Sequence, residues 1–320
     1  MKAAVITAFD QPPRYGDFAD PEARAPTDMP IDVLAAGLHH VTRGRAAGLH
    51  YSSTAELPQV PGIDGVGRGP DGKLRYFVQE PGRTGTMAER TVIERSHSIE
   101  LPDGCDPVAI AAAMNPAMAS WIALRCRAPG FRWRLPFQRG RRVLILGATG
   151  SSGRLAVQIA RHLGASQVFA VGRNAARLAE LPALGATGTI LLGDERLGAA
   201  ACETDVVLDF IWGESAVRCM ESMLAQRESH SLPLTWIHVG SMAGEIAPIP
   251  GTLLRRADLR ILGSGHGAVS GRAILRELPR LAREIARGTF RVDARAVPLN
   301  QVERTWSRPD PGNTRIVFTP

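Results

Sequence analysis

The sequence predicts an α/β fold: a doubly wound parallel sheet joined to a β-rich, partly open barrel. Three observations carry this. Residues 143–173 read VLILGATGSSGRLAVQIARHLGASQVFAVGR: an apolar strand, a glycine-rich turn, an amphipathic helix and a second apolar strand. Strand and helix signals then alternate to about residue 267. Ahead of them, residues 1–100 hold many short strand candidates punctuated by Gly and Pro, the pattern of a compact barrel.

Val143-Leu144-Ile145-Leu146 is short and wholly apolar, as a buried parallel strand requires. Gly147, Gly150 and Gly153 follow, spaced by Ala148, Thr149, Ser151 and Ser152. Leu155, Ile159 and Leu163 recur at helical spacing, and Gly164 ends the helix. Residues 168–171 form the returning strand. The spacing G-x-x-G-x-x-G departs from the usual G-x-G-x-x-G, so the surrounding strand, helix and second strand carry the assignment. Glycines permit a tight turn and a close backbone approach to a pyrophosphate. The helix N-terminus adds unpaired N–H groups and the positive end of its dipole. Without a ligand the same residues would be a plain glycine-rich turn.

The second strand identifies the dinucleotide. An NAD site places Asp or Glu about 20 residues on, to hold the ribose 2′-OH. Here the strand ends Ala170-Val171-Gly172-Arg173-Asn174, with no acid until Glu180. Arg173 stands where a 2′-phosphate would lie. Such a charge-assisted pair contributes about 1.5–3 kcal/mol, or roughly 10- to 100-fold in affinity. The cofactor expected is NADPH. The alternative for Arg173 is a solvated arginine on an arginine-rich surface.

A chain of 320 residues can bury a large core and form two domains. Hydrophobic content of 44% and charged content of 22% are ordinary for a globular protein. No apolar run reads as long enough to span a bilayer, and MKAAVITAFD reads as a first strand, not a signal peptide. The expected location is the cytoplasm, with no membrane partner. The net charge of +7 raises nucleic acid as a partner. Against it, only Lys2 and Lys73 are lysines, the arginines are spread along the chain, and aromatics are only 5%, too few for stacking platforms. Cys105, Cys126, Cys202 and Cys219 show no CxxC spacing, which fits reduced thiols and no metal framework.

In chain order, strands are expected at 2–7, 31–36, 74–78 and 88–93, with a proline-rich connection between the first two. Asp106 and Pro107 open a helix as N-cap and first residue, and Pro116 is expected to interrupt it. A second helical segment covers 119–127, then a Pro- and Arg-rich connection covers 129–142. Strands follow near 143–147, 167–171, 188–192, 205–209, 234–239 and 258–262, with helices near 153–163, 174–181 and 214–226. A long helix at 270–287 precedes strands near 292–297 and 315–319, which are expected to rejoin the N-terminal domain.

The order of pieces resembles the medium-chain dehydrogenase/reductase superfamily, in its zinc-free quinone oxidoreductase branch. The resemblance covers nearly the whole chain. Its pieces are MKAAVI, AAGLHHVTRGRAAGLHY (35–51), VPGIDGVGR (60–68), GTMAERTVI (85–93), LPDGCDPVAIAAA (101–113) and GATGSSGRLAVQIARHLGA (147–165). It implies a GroES-like catalytic domain built from 1–118 and 268–320 around an NADPH-binding Rossmann domain at 119–267, with the active site in the cleft between them. It also implies a small-molecule substrate and a homodimer. Zinc-dependent members carry a Cys ligand, a Pro-Gly-His-Glu motif and a second Cys. Here the first position falls at or near His39, the motif reads Pro61-Gly62-Ile63-Asp64, and 114–121 has no Cys. Three protein ligands cannot be assembled, so no metal is expected.

The resemblance and the rule that ligands bind beyond the carboxyl ends of strands give the candidate residues. Gly147, Thr149, Gly150, Ser151, Ser152 and Gly153 are assigned to the phosphates. Gly172, Arg173 and Asn174 take the 2′-phosphate end. Asn115, Phe210, Ile211, Trp212, Val239, Gly240, Ser241, Gly263, Ser264 and Gly265 take the nicotinamide half. His39 and His40 replace the branch's usual Asn-Pro. His39 is the first candidate to orient the cofactor or donate a proton, and a histidine bonded to backbone is the alternative. Tyr51 can cap a substrate oxygen or simply pack. His40, Trp212 and His266 are candidates for the substrate pocket, with ordinary packing as the alternative. The reaction implied is hydride transfer from NADPH to a quinone or an α,β-unsaturated carbonyl. The competing readings are a metal-free alcohol or carbonyl oxidoreductase, and a non-catalytic NADPH- or RNA-binding protein on the same fold.

Overall fold

A computed structural model describes residues 1–50, 52–131, 140–265, 267–308 and 314–320. The chain forms two compact units, Met1–Asn115 with Leu275–Pro320, and Pro116–Ile274.

In the first unit, β1 (Lys2–Val5) pairs antiparallel with β2 (Arg14–Asp17). β3 (Asp28–Gly37) is the long central strand, with Met29, Ile31 and Val33 turned into the core at alternate positions. Next comes a helix for which the sequence marks no element: α1 (His40–Ala46). It is short, carries Gly44 in its middle and buries only Thr42 and Ala46, so it has no apolar stripe to betray it. His39 is its extended N-cap and His40 its first residue. β4 (Asp64–Arg68), β5 (Leu74–Val78), β6 (Arg90–Glu94) and β7 (Ser98–Glu100) complete the N-terminal strands. β4 needs its glycines: a Cβ on Gly67 would lie 2.4 Å from both Asp32 O and Ile31 Cγ2.

α2 (Pro107–Ile122) opens with Asp106 Oδ1 accepting the Val108 N–H. It runs straight through Pro116, against the expected break. The proline withholds one N–H from the ladder, but Ile110, Ala111, Ala112, Met114 and Ala117 on either side are fully buried. Their packing keeps the helix continuous. A π-helical stretch, Ala123–Arg127, ends it. Pro107–Arg127 is, by length and composition alone, apolar enough to cross a bilayer, which corrects the sequence expectation; 67% of its apolar window is buried inside the protein, as in a core helix.

The second unit is the doubly wound sheet. β8 (Arg142–Leu146) is followed by α3 (Ser151–His162), β9 (Gln167–Gly172), α4 (Ala175–Leu178) and β10 (Gly188–Leu191). Then come α5 (Leu197–Ala201), β11 (Val206–Asp209), α6 (Gly213–Ala225), β12 (Leu234–His238), α7 (Gly251–Arg256) and β13 (Leu259–Gly263). All six strands are parallel, in the order β10-β9-β8-β11-β12-β13. The chain winds outward from β8 to β10, then returns to build β11 on the other side of β8. That reversal is the switch point where such sheets bind ligands.

α8 (Gly271–Ala286) buries Leu278, Leu281, Ala282 and Ile285 at helical spacing. β14 (Ala294–Pro298), α9 (Val302–Trp306) and β15 (Arg315–Thr319) follow. β15 pairs with β3, so the last strands do rejoin the N-terminal sheet, whose order is β14-β15-β3-β4-β5-β7. β6 pairs with the start of β3.

The close approach of β4 to β3 is testable. Gly67→Ala should cost about 1–3 kcal/mol by overpacking, read from the urea midpoint. A shift under about 0.5 kcal/mol, the size of an ordinary surface change, would contradict this register.

Candidate functional site

The glycine turn lies at the carboxyl edge of the parallel sheet, and its three glycines do different work. Gly147 has φ +84, and its N–H and that of Ala148 donate to Val171 O at 3.0 and 2.9 Å. The turn is thereby clasped to the end of β9. Gly153 permits close packing of helix on turn: a Cβ there would sit 2.3 Å from Gly147 O and 2.6 Å from Ala148 Cα. Gly150 is the N-cap of α3 and has space around it, its nearest neighbour being Gly147 O at 3.6 Å. It brings no side chain to cap the helix, so the first-turn N–H groups are left for an anion. Ser151 and Ser152 open that turn, half-buried. This donor set fits a diphosphate.

At the end of β9, Gly172 lies under Thr149, whose Cγ2 would be 2.7 Å from any Cβ there. Arg173 follows, exposed. Two neighbouring acids, Glu180 and Asp194, are engaged by other arginines. Glu180 holds Arg154 at 2.6 Å. The turn after β10 lies alongside, since the Leu192 N–H donates to Gly172 O at 2.8 Å. In that turn Arg196 donates to both carboxylate oxygens of Asp194, at 3.0 and 2.6 Å, and holds its carboxyl down at about 2. Asn174 is occupied locally: its Oδ1 accepts the Arg177 N–H and caps α4.

β11 ends in Asp209, a carboxylate with no solvent exposure. Its Oδ1 accepts the N–H groups of Ile211 and Trp212, both at 2.9 Å, and its Oδ2 accepts Trp236 Nε1–H from β12 at 2.9 Å. Burial pushes the carboxyl up, against the opposing pull of these donors. Phe210 and Ile211 pack on the turn, within 3.3 Å of where a Gly147 Cβ would be. Trp212 has φ +54, the left-handed region, which for a bulky residue costs about 1–3 kcal/mol. Its ring packs on His238, with centroids 4.6 Å apart and planes at 53°. His238 Nε2 is 3.2 Å from Ser241 Oγ. The Val239 and Gly240 N–H groups donate to Asp209 O, and the Ser264 N–H donates to His238 O. Gly263 and Gly265 flank Ser264, both exposed. The residues assigned to the phosphates and the nicotinamide half from this unit therefore share one sheet edge. Sequence reasoning missed Asp209 and His238. An acid closing the apolar run Val206-Val207-Leu208 was the available signal.

In the first unit, His39 is buried, and a chain of polar groups surrounds it. Its Nδ1 faces the Arg315 guanidinium on β15. Its Nε2 lies 2.8 Å from Asp64 Oδ1, off the line of a good hydrogen bond. Tyr76 donates its hydroxyl to Asp64 Oδ2 at 2.9 Å, and burial pushes the Tyr76 phenol well up. A guanidinium only donates, so Nδ1 is the acceptor and the ring proton sits on Nε2. Inside the protein Nδ1 is engaged by Arg315, while Nε2 faces the Asp64 carboxylate without an aligned hydrogen bond. His40, one residue on, is exposed at the start of α1, and Asn115 is half-buried within α2. Tyr51 and His266 lie outside the described residues. Among the described residues no three His, Cys, Asp or Glu side chains cluster as a metal site.

The split between glycine roles can be measured. Gly153→Ala should lower stability by about 1–3 kcal/mol. Gly150→Ala should melt within about 0.5 kcal/mol of the parent yet weaken dinucleotide binding, seen by calorimetry. Equal binding by Gly150→Ala and the parent would mean that nothing approaches this backbone.

No family model matches the chain. A protein of Emericella nidulans named "Probable NADPH-dependent quinone reductase" is 30% identical over 365 aligned positions, covering all of both chains. The 2-methylene-furan-3-one reductase of Solanum lycopersicum is 29% identical over 60% of this chain and 52% of its own. The quinone oxidoreductase of Thermus thermophilus, whose structure was also solved with NADPH, superposes with a TM-score of 0.72 at 24% identity over the full length of both chains, which speaks for the fold. On its full-length kinship and its architecture, the chain belongs to the medium-chain dehydrogenase/reductase superfamily, among the quinone oxidoreductase-like proteins.

Proposed function

We propose that this chain is an NADPH-dependent reductase that transfers hydride to a quinone or to an α,β-unsaturated carbonyl. The observation that carries this reading is a full-length relative named as an NADPH-dependent quinone reductase, together with a glycine turn and helix N-terminus that fit a diphosphate. The partial relative named as a furanone reductase favours conjugated carbonyls as a second acceptor class. NADPH, when bound, supplies a hydride from C4 of its nicotinamide.

The chain's own residues bind and orient. Gly147, Thr149, Gly150, Ser151, Ser152 and Gly153 hold the diphosphate through backbone and hydroxyl donors. Arg173, with Glu180 and Asp194 taken by other arginines, pairs with the 2′-phosphate; Gly172 and Asn174 shape that end. Phe210 to Trp212, Val239 to Ser241 and Gly263 to Gly265 border the nicotinamide half, and Asn115 contributes from α2. As hydride arrives, the acceptor oxygen gains negative charge and needs a hydrogen-bond donor. Tyr51 is assigned to that task, and His40, Trp212 and His266 are assigned to substrate binding. His39, enclosed between Arg315 and Asp64, serves by orientation and not as the proton donor. The enzyme is placed in the cytoplasm as a homodimer, for which the exposed edge strand β13 is the candidate seam.

Two measurements test this. A spectrophotometric screen should show NADPH consumed on adding quinones or enones, at rates unaffected by chelators. Inactivity across that panel, with turnover of saturated ketones instead, would refute the acceptor class. Arg173→Ala should lower kcat/KM for NADPH roughly 10- to 100-fold while leaving NADH nearly unchanged. Equal losses with both coenzymes would remove Arg173 from the 2′-phosphate.

A further inference from the structure

We propose that the Trp212 indole is the platform for the nicotinamide ring and favours its oxidised, cationic form, with Asp209 as the positioning residue that holds it. This rests on the dinucleotide reading above. With the diphosphate at the glycine turn after β8 and the 2′-phosphate at Arg173 beyond β9, the other half of the coenzyme runs over the ends of β11 and β12. Phe210 and Ile211 pack directly on the turn, and Trp212 is the next residue.

The backbone there is held against its preference. Trp212 is the sole non-glycine residue with positive φ among the described residues, and Gly213 beside it is left-handed too, at φ +68. A glycine at 212 would fit that backbone without strain. An indole kept in place at this cost points to work done by the ring, since strain persists at ligand clamps where the surroundings over-determine it. The surroundings do so here. One carboxylate oxygen of Asp209 takes the N–H groups of both Ile211 and Trp212, and the other is tied to Trp236 on β12. His238, at the end of β12, covers part of the indole, and Ser241 steadies His238. The indole itself remains partly exposed. The result is a rigid aromatic surface at the expected ring position, with an anion buried behind it.

The two redox states of the coenzyme differ there. NADP⁺ presents a pyridinium cation, whereas NADPH presents a neutral dihydropyridine. The face of an indole attracts the cation, and the buried carboxylate acts in the same direction. The platform therefore holds the product coenzyme more tightly than the reactant coenzyme, and slows its release.

Calorimetric titration of the full chain with NADP⁺, NADPH and 2′,5′-ADP tests this, using the parent, Trp212→Leu, Trp212→Phe and Asp209→Asn. Trp212→Leu should raise the Kd for NADP⁺ about 2- to 30-fold, raise that for NADPH less, and leave 2′,5′-ADP unchanged. Trp212→Phe should recover part of the loss. Asp209→Asn should follow the leucine variant, because its amide N–H₂ meets an N–H where an acceptor is needed. A purely structural role would weaken both coenzymes equally, so an unchanged NADP⁺/NADPH ratio with 2′,5′-ADP still bound overturns the platform alone. Failure of the parent to bind 2′,5′-ADP overturns the dinucleotide reading and the platform with it. If Asp209→Asn does not fold, the two Trp212 variants, at a partly exposed side chain, still decide the matter.

Discussion

The carboxylate of Asp209 is sealed from water between two strands of the parallel sheet, and the geometry of the sheet's working edge hangs on it. Its side chain accepts N–H groups from Ile211, Trp212 and Trp236, while its main-chain oxygen accepts those of Val239 and Gly240. One residue thus sets the path of the chain leaving β11 and fastens it to the chain leaving β12. Burying a charge is costly unless its acceptor sites are filled. The raised pKa shows that the three donors do not fully offset desolvation. By linkage, a carboxyl raised in the folded state favours folding most fully below its unfolded pKa, and this contribution declines as pH rises through the folded value. Above its folded value the carboxyl therefore works against stability. What it secures is position, and position is what a binding edge requires.

The first unit contains a similar construction. Tyr76, Asp64, His39 and Arg315 form a buried polar string across β5, β4, the end of β3 and β15. Arg315 lies far along the chain from His39, so the string also secures the C-terminal strand against the N-terminal sheet. By resemblance, zinc-dependent members place a cysteine and a glutamate near the positions of His39 and Asp64. In this chain those places hold an imidazole and a carboxylate, with a guanidinium on the far side of the ring. In a buried polar set of this kind the charged neighbours fix the ring in place even where, as between His39 and Asp64, the contact is not an aligned hydrogen bond. A histidine so enclosed is poorly suited to giving up its proton to a substrate.

Much of the architecture was legible because it is written in local periodicity. The apolar run 143–146, the glycine turn and the stripe of Leu155 and Ile159 lie where strand, turn and helix form. The six parallel strands fall within a residue or two of the expected ranges, the usual fraying of boundaries. Some expectations failed for identifiable reasons. Pro116 does not end α2, because burial of the alanines around it outweighs one missing N–H. α1 escaped notice because seven residues with a central glycine bury too little to leave a pattern.

By itself the sequence determined the alternation of the main strands and helices, the parallel sheet and the glycine turn, since each follows from the spacing of neighbouring residues. It also marked Arg173 through the absence of an adjacent acid. Only the tertiary structure decided that Gly153 is a packing residue and Gly150 an open one, because that depends on the backbone of a different turn of chain. Only it joined His39 to Arg315, or bent Trp212 into a left-handed backbone against His238. Those pairings carry no periodic signature. They arise where strands distant in sequence end side by side, and their geometry is set by which buried donors must find which buried acceptors.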